Sequence, residues 1–348
     1  MKKFVALILL FSMLLISACG NADGVVDDPN AKPIVDNSDT VVMTYEGYTL
    51  TSGVYAFIFS ALKTNYLYLL QLYGETDFVE DTETFWNIKT ENGESFGDAV
   101  TADIYDHCKM LLICKKMSAE YNVTLDAEAL ETVSDEYNDY ISAYGGEREL
   151  DVYLNRYGIS GNELMQYLKD KQMINVLQNK LCAKGGLCEV KDSDVYALIN
   201  EQYCKAKHIY LTDEKNNNDA LSKANEILAQ IKSGEKKYDD FASLSEDNST
   251  KDYPDGFLVN IKETEERYSN LLASLKVGEA GVCEADDGAY VVMKVEITDE
   301  DRDTRFDSAW QEIADKQFSD VLDSRYDLVE LNNEELGKYD IITADVLQ

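Results

Sequence analysis

Reactive side chains are scarce in this 348-residue chain. It offers two histidines, His107 and His208, and seven cysteines. Structural zinc is bound by cysteines and histidines at short, recurring spacings. No CxxC pair and no paired histidines occur here, so neither a zinc site nor any other metal or cofactor site is expected. Six cysteines, Cys108, Cys114, Cys182, Cys188, Cys204 and Cys283, are scattered so widely that their spacing dictates no pairing, and they read as buried small hydrophobes or free thiols. His107 falls in an apolar helical pattern with no second ligand nearby and is expected to pack. His208 lies in the alternating segment Lys205–Leu211, where an imidazole can hold a hydrogen-bond network or exchange a proton.

The seventh cysteine has a different setting. Lys2 and Lys3 precede an apolar run from Phe4 to Ile16, and Ile16-Ser17-Ala18-Cys19 resembles a bacterial lipobox. Cleavage before Cys19 and diacylglycerol on its thiol are the expected consequence, with an ordinary secretory signal as the alternative. More than one acyl chain on that residue would give a stable anchor. Residues 1–18 are therefore a signal peptide, and residues 19–39, acidic and containing Pro29 and Pro33, a flexible tether. Acidic residues number 66 against 32 basic ones, a formal charge of −34. Such a charge repels nucleic acid and favours solubility, and it is compatible with cationic, unfolded polypeptide.

The elements around His208 follow from periodicity. Thr40–Leu50 reads as a hairpin about Glu46-Gly47, and Ser52 to about Tyr73 as a core helix, its apolar run interrupted by Lys63, Asn65 and Gln71. Phe96–Tyr121, Asp126–Tyr144, Arg148–Tyr157 and Ser160–Leu181 read as helices broken at Gly145-Gly146 and Gly158. Val190–Gln202 is a further short helix. A last amphipathic helix, about Thr304 to Tyr326, follows the acidic stretch Thr298–Asp303 and is expected to pack back on the N-terminal helices. The stretch GGERELDVYLNRYGISGNELMQYLKDKQMINVLQNKL resembles the helical N-terminal region of the SurA and PrsA families of extracytoplasmic foldases.

Between these helical parts lies a module of order β-α-α-β-α-β-β: a strand at Lys205–Leu211, a helix capped by Asp219 and ended by Gly234, a short helix at Tyr238–Leu244, a strand at Phe257–Val259, a helix at Glu265–Leu275, and a hairpin about Asp287-Gly288. In that order, AKHIYL, IKSGEKKYDDFASLSED and LKVGEAGVCEADDGAYVVMKV resemble motifs of the parvulin family of peptidyl-prolyl cis-trans isomerases. The resemblance implies an α+β fold, with a helical domain built from N- and C-terminal segments (40–202 and 299–348) and an inserted parvulin-like domain (203–298).

The implied activity is rotation about X-Pro bonds, whose barrier of roughly 18–20 kcal/mol makes it take tens of seconds uncatalysed. An apolar pocket for the proline ring and a polar rim that favours the twisted amide suffice, with no nucleophile, metal or cofactor. By position, His208 matches the family's first-strand histidine and Asp247 the acidic or thiol position of the following loop. Tyr290, counting from Gly288, or Val291, counting back from Lys294-Val295, stands where the family has a second histidine. The resemblance thus implies His208, Asp247 and Tyr290 as catalytic groups, with Phe257 (or Leu258) and Tyr268 as substrate-binding walls. Each has a structural alternative: a network for His208, a loop cap for Asp247, sheet packing for the tyrosines. The expected protein is a lipid-anchored foldase for exported proteins with X-Pro bonds, on the outer face of the plasma membrane if the cell is Gram-positive. The alternative is a chaperone whose parvulin domain binds unfolded clients with weak or no catalysis. A solute-binding lipoprotein would need two similar lobes around a cleft, which the element order lacks.

Overall fold

The computed structural model describes residues 34–344 except 36, 73–80 and 91. The signal peptide, Cys19 and most of the tether lie outside the described residues. The chain divides into two compact units, one comprising residues up to Glu189 together with those from Ala314 onward, the other Val190–Ile313. This is an α+β architecture in which a mixed unit is inserted into a helical one.

In the helical unit, β1 (Val41–Tyr45) and β2 (Tyr48–Thr51) pair antiparallel. Glu46 and Gly47, at φ 44° and 88°, supply the two left-handed residues of a tight hairpin turn. α1 (Ser52–Leu72) follows, with a short α2 (Glu83–Trp86), then α3 (Phe96–Glu120), α4 (Ala127–Tyr144), α5 (Glu147–Asn155) and α6 (Gly161–Cys182). Their starts are capped as side-chain chemistry demands: Ser95 accepts from the Asp98 amide, Asp126 from that of Ala129, and Ser160 forms a reciprocal box with Glu163. Around α1, Phe57, Ile58, Phe59 and Ala61 are buried, and so are Lys63 and Asn65. Lys63 does not open the helix to water: its ammonium pairs with Asp81 at 2.9 Å and donates to the Ala344 carbonyl at 2.7 Å. Among the described residues no helix is long and apolar enough to cross a membrane.

The inserted unit begins with α7 (Asp192–Gln202), which runs directly into β3 (Tyr203–Thr212). There follow α8 (Ala220–Ser233), a 3₁₀ segment at Tyr238–Leu244, a single turn α9 (Ser249–Asp252), β4 (Phe257–Asn260), α10 (Glu266–Ser274), β5 (Ala280–Ala285) and β6 (Gly288–Val295). The expected order is observed with one extra helical turn in the loop before β4. The four strands form an antiparallel sheet in the order β4-β3-β6-β5. Strand alternation divides its core in two. Ile209, Leu211, Ala289 and Val291 face α8 and Phe241, whereas Cys204, Ala206 and Val292 face Tyr268 and Leu272 of α10.

Three local expectations shift. Asp219 precedes α8 without capping it by its side chain; the Ala220 amide donates instead to Asp213, seven residues back, at 3.1 Å. The β5–β6 turn is Asp286-Asp287, and Gly288 is already paired with Ala285. Gly288 is needed for close approach, since a Cβ there would stand 2.0 Å from the Leu211 carbonyl oxygen. The last helix starts before Thr304: α11 runs Asp299–Tyr326 and takes in the acidic stretch, with Asp299, Glu300 and Asp301 in its first turn, where the positive end of the helix dipole favours carboxylates. Thr298 and Asp301 exchange amide-to-side-chain hydrogen bonds that fix this start.

The residues from Ala314 onward belong to the helical unit, whereas the first part of α11, up to Ile313, belongs to the inserted unit. Phe318 and Leu322 are buried there, and Gln178 donates to Asp315 at 2.7 Å. β7 (Glu330–Leu331) adds to β1, and α12 (Asn333–Leu336) closes the described chain.

Candidate active site

The face of the sheet packed on α10 carries His208 and the aromatic side chains around it. His208 on β3 points to this face because it shares parity with Ala206 and Cys204. The register pairs Tyr210 with Tyr290, so Tyr290 lies on the same face one step along, and Val291 turns into the opposite core. Of the two positions open in the sequence, Tyr290 is the one beside His208, their ring centroids 4.9 Å apart. Phe257 at 5.1 Å and Tyr268 at 5.8 Å approach the imidazole nearly edge-on, and Tyr268 meets Tyr290 at 5.4 Å and 89°. Tyr210 stacks on the far side of Tyr290 at 4.6 Å and 24°.

Asp247 reaches His208 because its loop is tied to β3 on both sides. The Tyr210 amide donates to Ser245 at 3.0 Å and the Glu246 amide to the Tyr210 carbonyl at 2.9 Å. Glu246, not singled out in the sequence, accepts from the Thr212 amide at 3.0 Å, the Thr212 hydroxyl and the Asn216 side chain at 2.8 Å. The acidic pair Glu246-Asp247 therefore divides its work: one carboxylate pins the loop to the strand and the other meets the histidine. Gly256, at φ 92°, lets the chain pass so near β3 that a Cβ would stand 2.8 Å from the Ala206 carbonyl oxygen, and it delivers Phe257 to the imidazole.

Both nitrogens of His208 are engaged. Nε2 is 2.6 Å from Asp247 Oδ2, and Nδ1 is 2.9 Å from the Tyr268 hydroxyl. The other Asp247 oxygen accepts from the hydroxyls of Ser245 and Ser249, both at 2.7 Å, and from the Ser249 amide at 3.2 Å. Burial alone would raise the Asp247 carboxyl, but the hydrogen bonds from Ser249, Ser245 and His208 outweigh it and hold it below the usual carboxylate range. Burial pushes the Tyr268 phenol well up, with Tyr290, Cys283 and Asp247 adding to it, so its proton stays on. An ionised carboxylate only accepts, which assigns the tautomer. In the neutral imidazole Nε2–H donates to Asp247 and Nδ1 accepts from the Tyr268 hydroxyl. The hydroxyl that Tyr268 adds to its aromatic wall is thus spent on His208. The Tyr290 hydroxyl has no hydrogen-bond partner among the described residues and is available to a ligand.

Above this network lies an open cavity of about 520 Å³, lined by Tyr203, His208, Phe257, Leu258, Tyr268 and Tyr290, with Glu263, Glu265 and Arg305 also on its wall. The five residues singled out as catalytic or substrate-binding fall in two groups: His208, Tyr290, Phe257 and Tyr268 line the cavity, and Asp247 stands behind the histidine. Leu258, the alternative to Phe257, lines it too. His107 is elsewhere, buried in α3 with neither ring nitrogen hydrogen-bonded among the described residues. No group of three His, Cys, Asp or Glu residues placed to hold a metal ion occurs among the described residues. What the arrangement offers is an open cavity with aromatic walls from Phe257, Tyr268 and Tyr290 and a polar rim from Asn260, Glu263, Glu265 and Arg305, floored by an oriented imidazole.

Residues 195–299 match the family model of the PPIC-type PPIase domain. No curated protein matches the chain. Among solved structures, the chain is similar to the peptidylprolyl isomerase PrsA of Bacillus anthracis, at 16% identity over 64% of this chain and 96% of that one, with a TM-score of 0.28. It is also similar to foldase protein PrsA of Streptococcus pneumoniae, at 18% identity over 72% and 93% with a TM-score of 0.26. A SurA-like chaperone of Campylobacter jejuni aligns at 15% identity over 73% and 98% with a TM-score of 0.23. The match of residues 195–299, rather than these distant similarities, identifies the domain.

Proposed function

Residues 195–299 being a PPIC-type PPIase domain, of the parvulin kind, we propose that the chain is a foldase that isomerises X-Pro bonds in unfolded exported proteins while anchored through lipid on Cys19. The observation that carries this reading is the His208 site. An imidazole locked between Asp247 and Tyr268 lies under a cavity walled by Phe257, Tyr268 and Tyr290.

Catalysis in such a site is differential binding. The aromatic walls take the proline ring out of water equally in both isomers. At the twisted, half-rotated amide the carbonyl and the proline nitrogen lose their conjugation, so the oxygen behaves as a ketone and the nitrogen as an amine acceptor. A donor on the pocket edge that meets the freed nitrogen, and an environment that no longer rewards the planar amide dipole, lower the barrier. In this reading the Tyr290 hydroxyl, which makes no hydrogen bond among the described residues, is that donor. His208, Asp247 and Tyr268 act beneath it as a fixed polar floor whose protons are already assigned.

Refolding tests the foldase reading. A client whose slow phase is X-Pro isomerisation should refold faster with catalytic amounts of this protein, and His208→Ala should remove the effect. Replacement of Cys19 by alanine should abolish incorporation of labelled fatty acid and move the protein from the membrane fraction to the soluble one. A second reading follows from Tyr290 itself. With a tyrosine in place of the second histidine of the resembling family, the domain would hold X-Pro segments without accelerating them, and the chain would act as a chaperone. Suppression of client aggregation with an unchanged slow refolding phase would decide for it.

A further inference from the structure

The turn after α6 brings together two cysteines whose spacing dictated no pairing. Cys182 ends α6 with its side chain buried, Cys188 follows six residues later half-buried, and their sulfurs lie 3.3 Å apart. The backbone of the turn holds them there. The Cys188 amide donates to the Leu181 carbonyl at 3.0 Å, the Gly186 amide to the Ala183 carbonyl at 2.8 Å, and the Gly185 amide to the Glu189 carboxylate at 2.8 Å. Gly185 adopts φ 80°, and a Cβ on Gly186 would stand 2.1 Å from the Leu181 carbonyl oxygen, so the doubling back of the chain depends on both glycines. Nothing in the isomerase site uses this pair.

We propose that Cys182 and Cys188 are a redox-active pair that closes to an intramolecular disulfide by exchange with an external disulfide of the glutathione type. A disulfide needs its sulfurs about 2.05 Å apart and its Cα atoms within about 7 Å, and the sulfurs have little more than an ångström to travel. Cys188, the accessible member, loses its proton and attacks one sulfur of the external disulfide. One thiolate leaves and takes up a proton, and a mixed disulfide remains on Cys188. Cys182 then gives up its proton and attacks the Cys188 sulfur, expelling the second external thiol. Two protein thiols become one disulfide while one external disulfide becomes two thiols. Burial pushes the Cys182 thiol up, and Cys188 and Asp315 nearby add to this, so Cys182 is the resolving partner and not the first nucleophile. The closed bond would staple the segment that leads to Glu189, the last residue before the inserted unit.

Trypsin makes the test direct, because it cuts after Lys180, Lys184 and Lys191 and so separates the two cysteines onto residues 181–184 and 185–191. The full folded chain is incubated with oxidised glutathione, quenched with acid, alkylated in denaturant, digested and analysed by mass spectrometry. The expected product is residues 181–184 joined to 185–191, released by dithiothreitol, as the main oxidised form. Cys182→Ser should accumulate glutathione on Cys188, and Cys188→Ser should remain unmodified at Cys182. Full alkylation of both cysteines in the unsubstituted chain, a persistent glutathione adduct on Cys188, or Cys188 joined to another cysteine would each overturn the proposal. The deciding measurement is made on the unsubstituted chain and does not depend on a variant folding.

Discussion

Replacing Asp247 by asparagine should reverse the direction of the hydrogen bonds through His208. The carboxylate accepts from Nε2 at 2.6 Å on one oxygen and from Ser245 and Ser249 on the other. Asparagine can keep its oxygen toward the serines only by turning its NH₂ toward Nε2, which must then accept. The imidazole proton moves to Nδ1 and is donated to the Tyr268 oxygen, leaving the Tyr268 hydroxyl hydrogen without its acceptor. A charge-assisted bond worth about 1.5–3 kcal/mol gives way to a neutral one of about 0.5–1.5, a loss of about 1–2 kcal/mol. Alanine removes all four bonds to the carboxylate. The two serines are half-buried and water can replace their partner, so the loss should be about 2–4 kcal/mol.

The pH dependence follows from the depressed carboxyl. Its contribution is complete above the unfolded value of about 3.9 and is lost as pH falls through the lower folded value, so the stability gap between wild type and Asp247→Asn should narrow below about pH 4. Nitrogen-15 spectra of the imidazoles, with only His107 to tell apart, report the tautomer. Denaturant-dependent hydrogen exchange of β3 and β6 amides reports the stability of this unit. An Asp247→Asn protein that keeps the Nε2–H tautomer, or an Asp247→Ala protein within about 0.5 kcal/mol of wild type, would refute the assignment of Asp247 as the acceptor that orients His208.

Gly288→Ala should destabilise the inserted unit by about 2–4 kcal/mol through the clash with the Leu211 carbonyl. Gly278→Ala, left-handed at φ 85° but in open space, should cost only about 1–2 kcal/mol, and thermal unfolding compares the two. In the helical unit, burial and the nearby Lys171 hold the His107 imidazole down at about 4. Because the unfolded state then binds the extra proton, His107 destabilises the fold as pH falls from about 6.5 toward 4, by about 3 kcal/mol at the end of that window. His107→Phe should flatten that slope in α3 hydrogen exchange. Tyr290→Phe removes a hydroxyl with no partner among the described residues, so it should leave stability within about 0.5 kcal/mol while lowering isomerase turnover about tenfold, equal to about 1.4 kcal/mol of barrier.

Much of this could be read from the chain because its local signals agree. The alternation around His208, the glycine end of α8 and the helical spacing of α10 each point to the element found. What escaped depends on pairing between distant segments. Whether Tyr290 or Val291 neighbours His208 is a matter of strand register, and a one-residue slip exchanges the faces. Glu246 carries no signal of its own in the sequence, because its partners Thr212 and Asn216 meet it only when the loop folds against β3. Lys63 interrupts the apolar run of α1, and the partners that allow its burial, Asp81 and Ala344, come from beyond that helix. Asp219 sits where a cap belongs, and Asp213 takes its place because the intervening turn, with Asn217 and Asn218 at positive φ, returns the earlier carboxylate to the helix start. The Cys182–Cys188 contact likewise rests on a doubled-back turn that no spacing rule describes.

If the His208 cavity lowers the barrier to X-Pro rotation, NMR of a short X-Pro peptide with the purified, folded chain will show it as accelerated cis-to-trans exchange. Exchange should run well above the uncatalysed rate of about one event in tens of seconds, and His208→Ala and Asp247→Ala should each reduce it at least about tenfold. An unaccelerated exchange rate in the presence of folded wild-type protein, at concentrations where the peptide is bound, would contradict catalysis by this cavity.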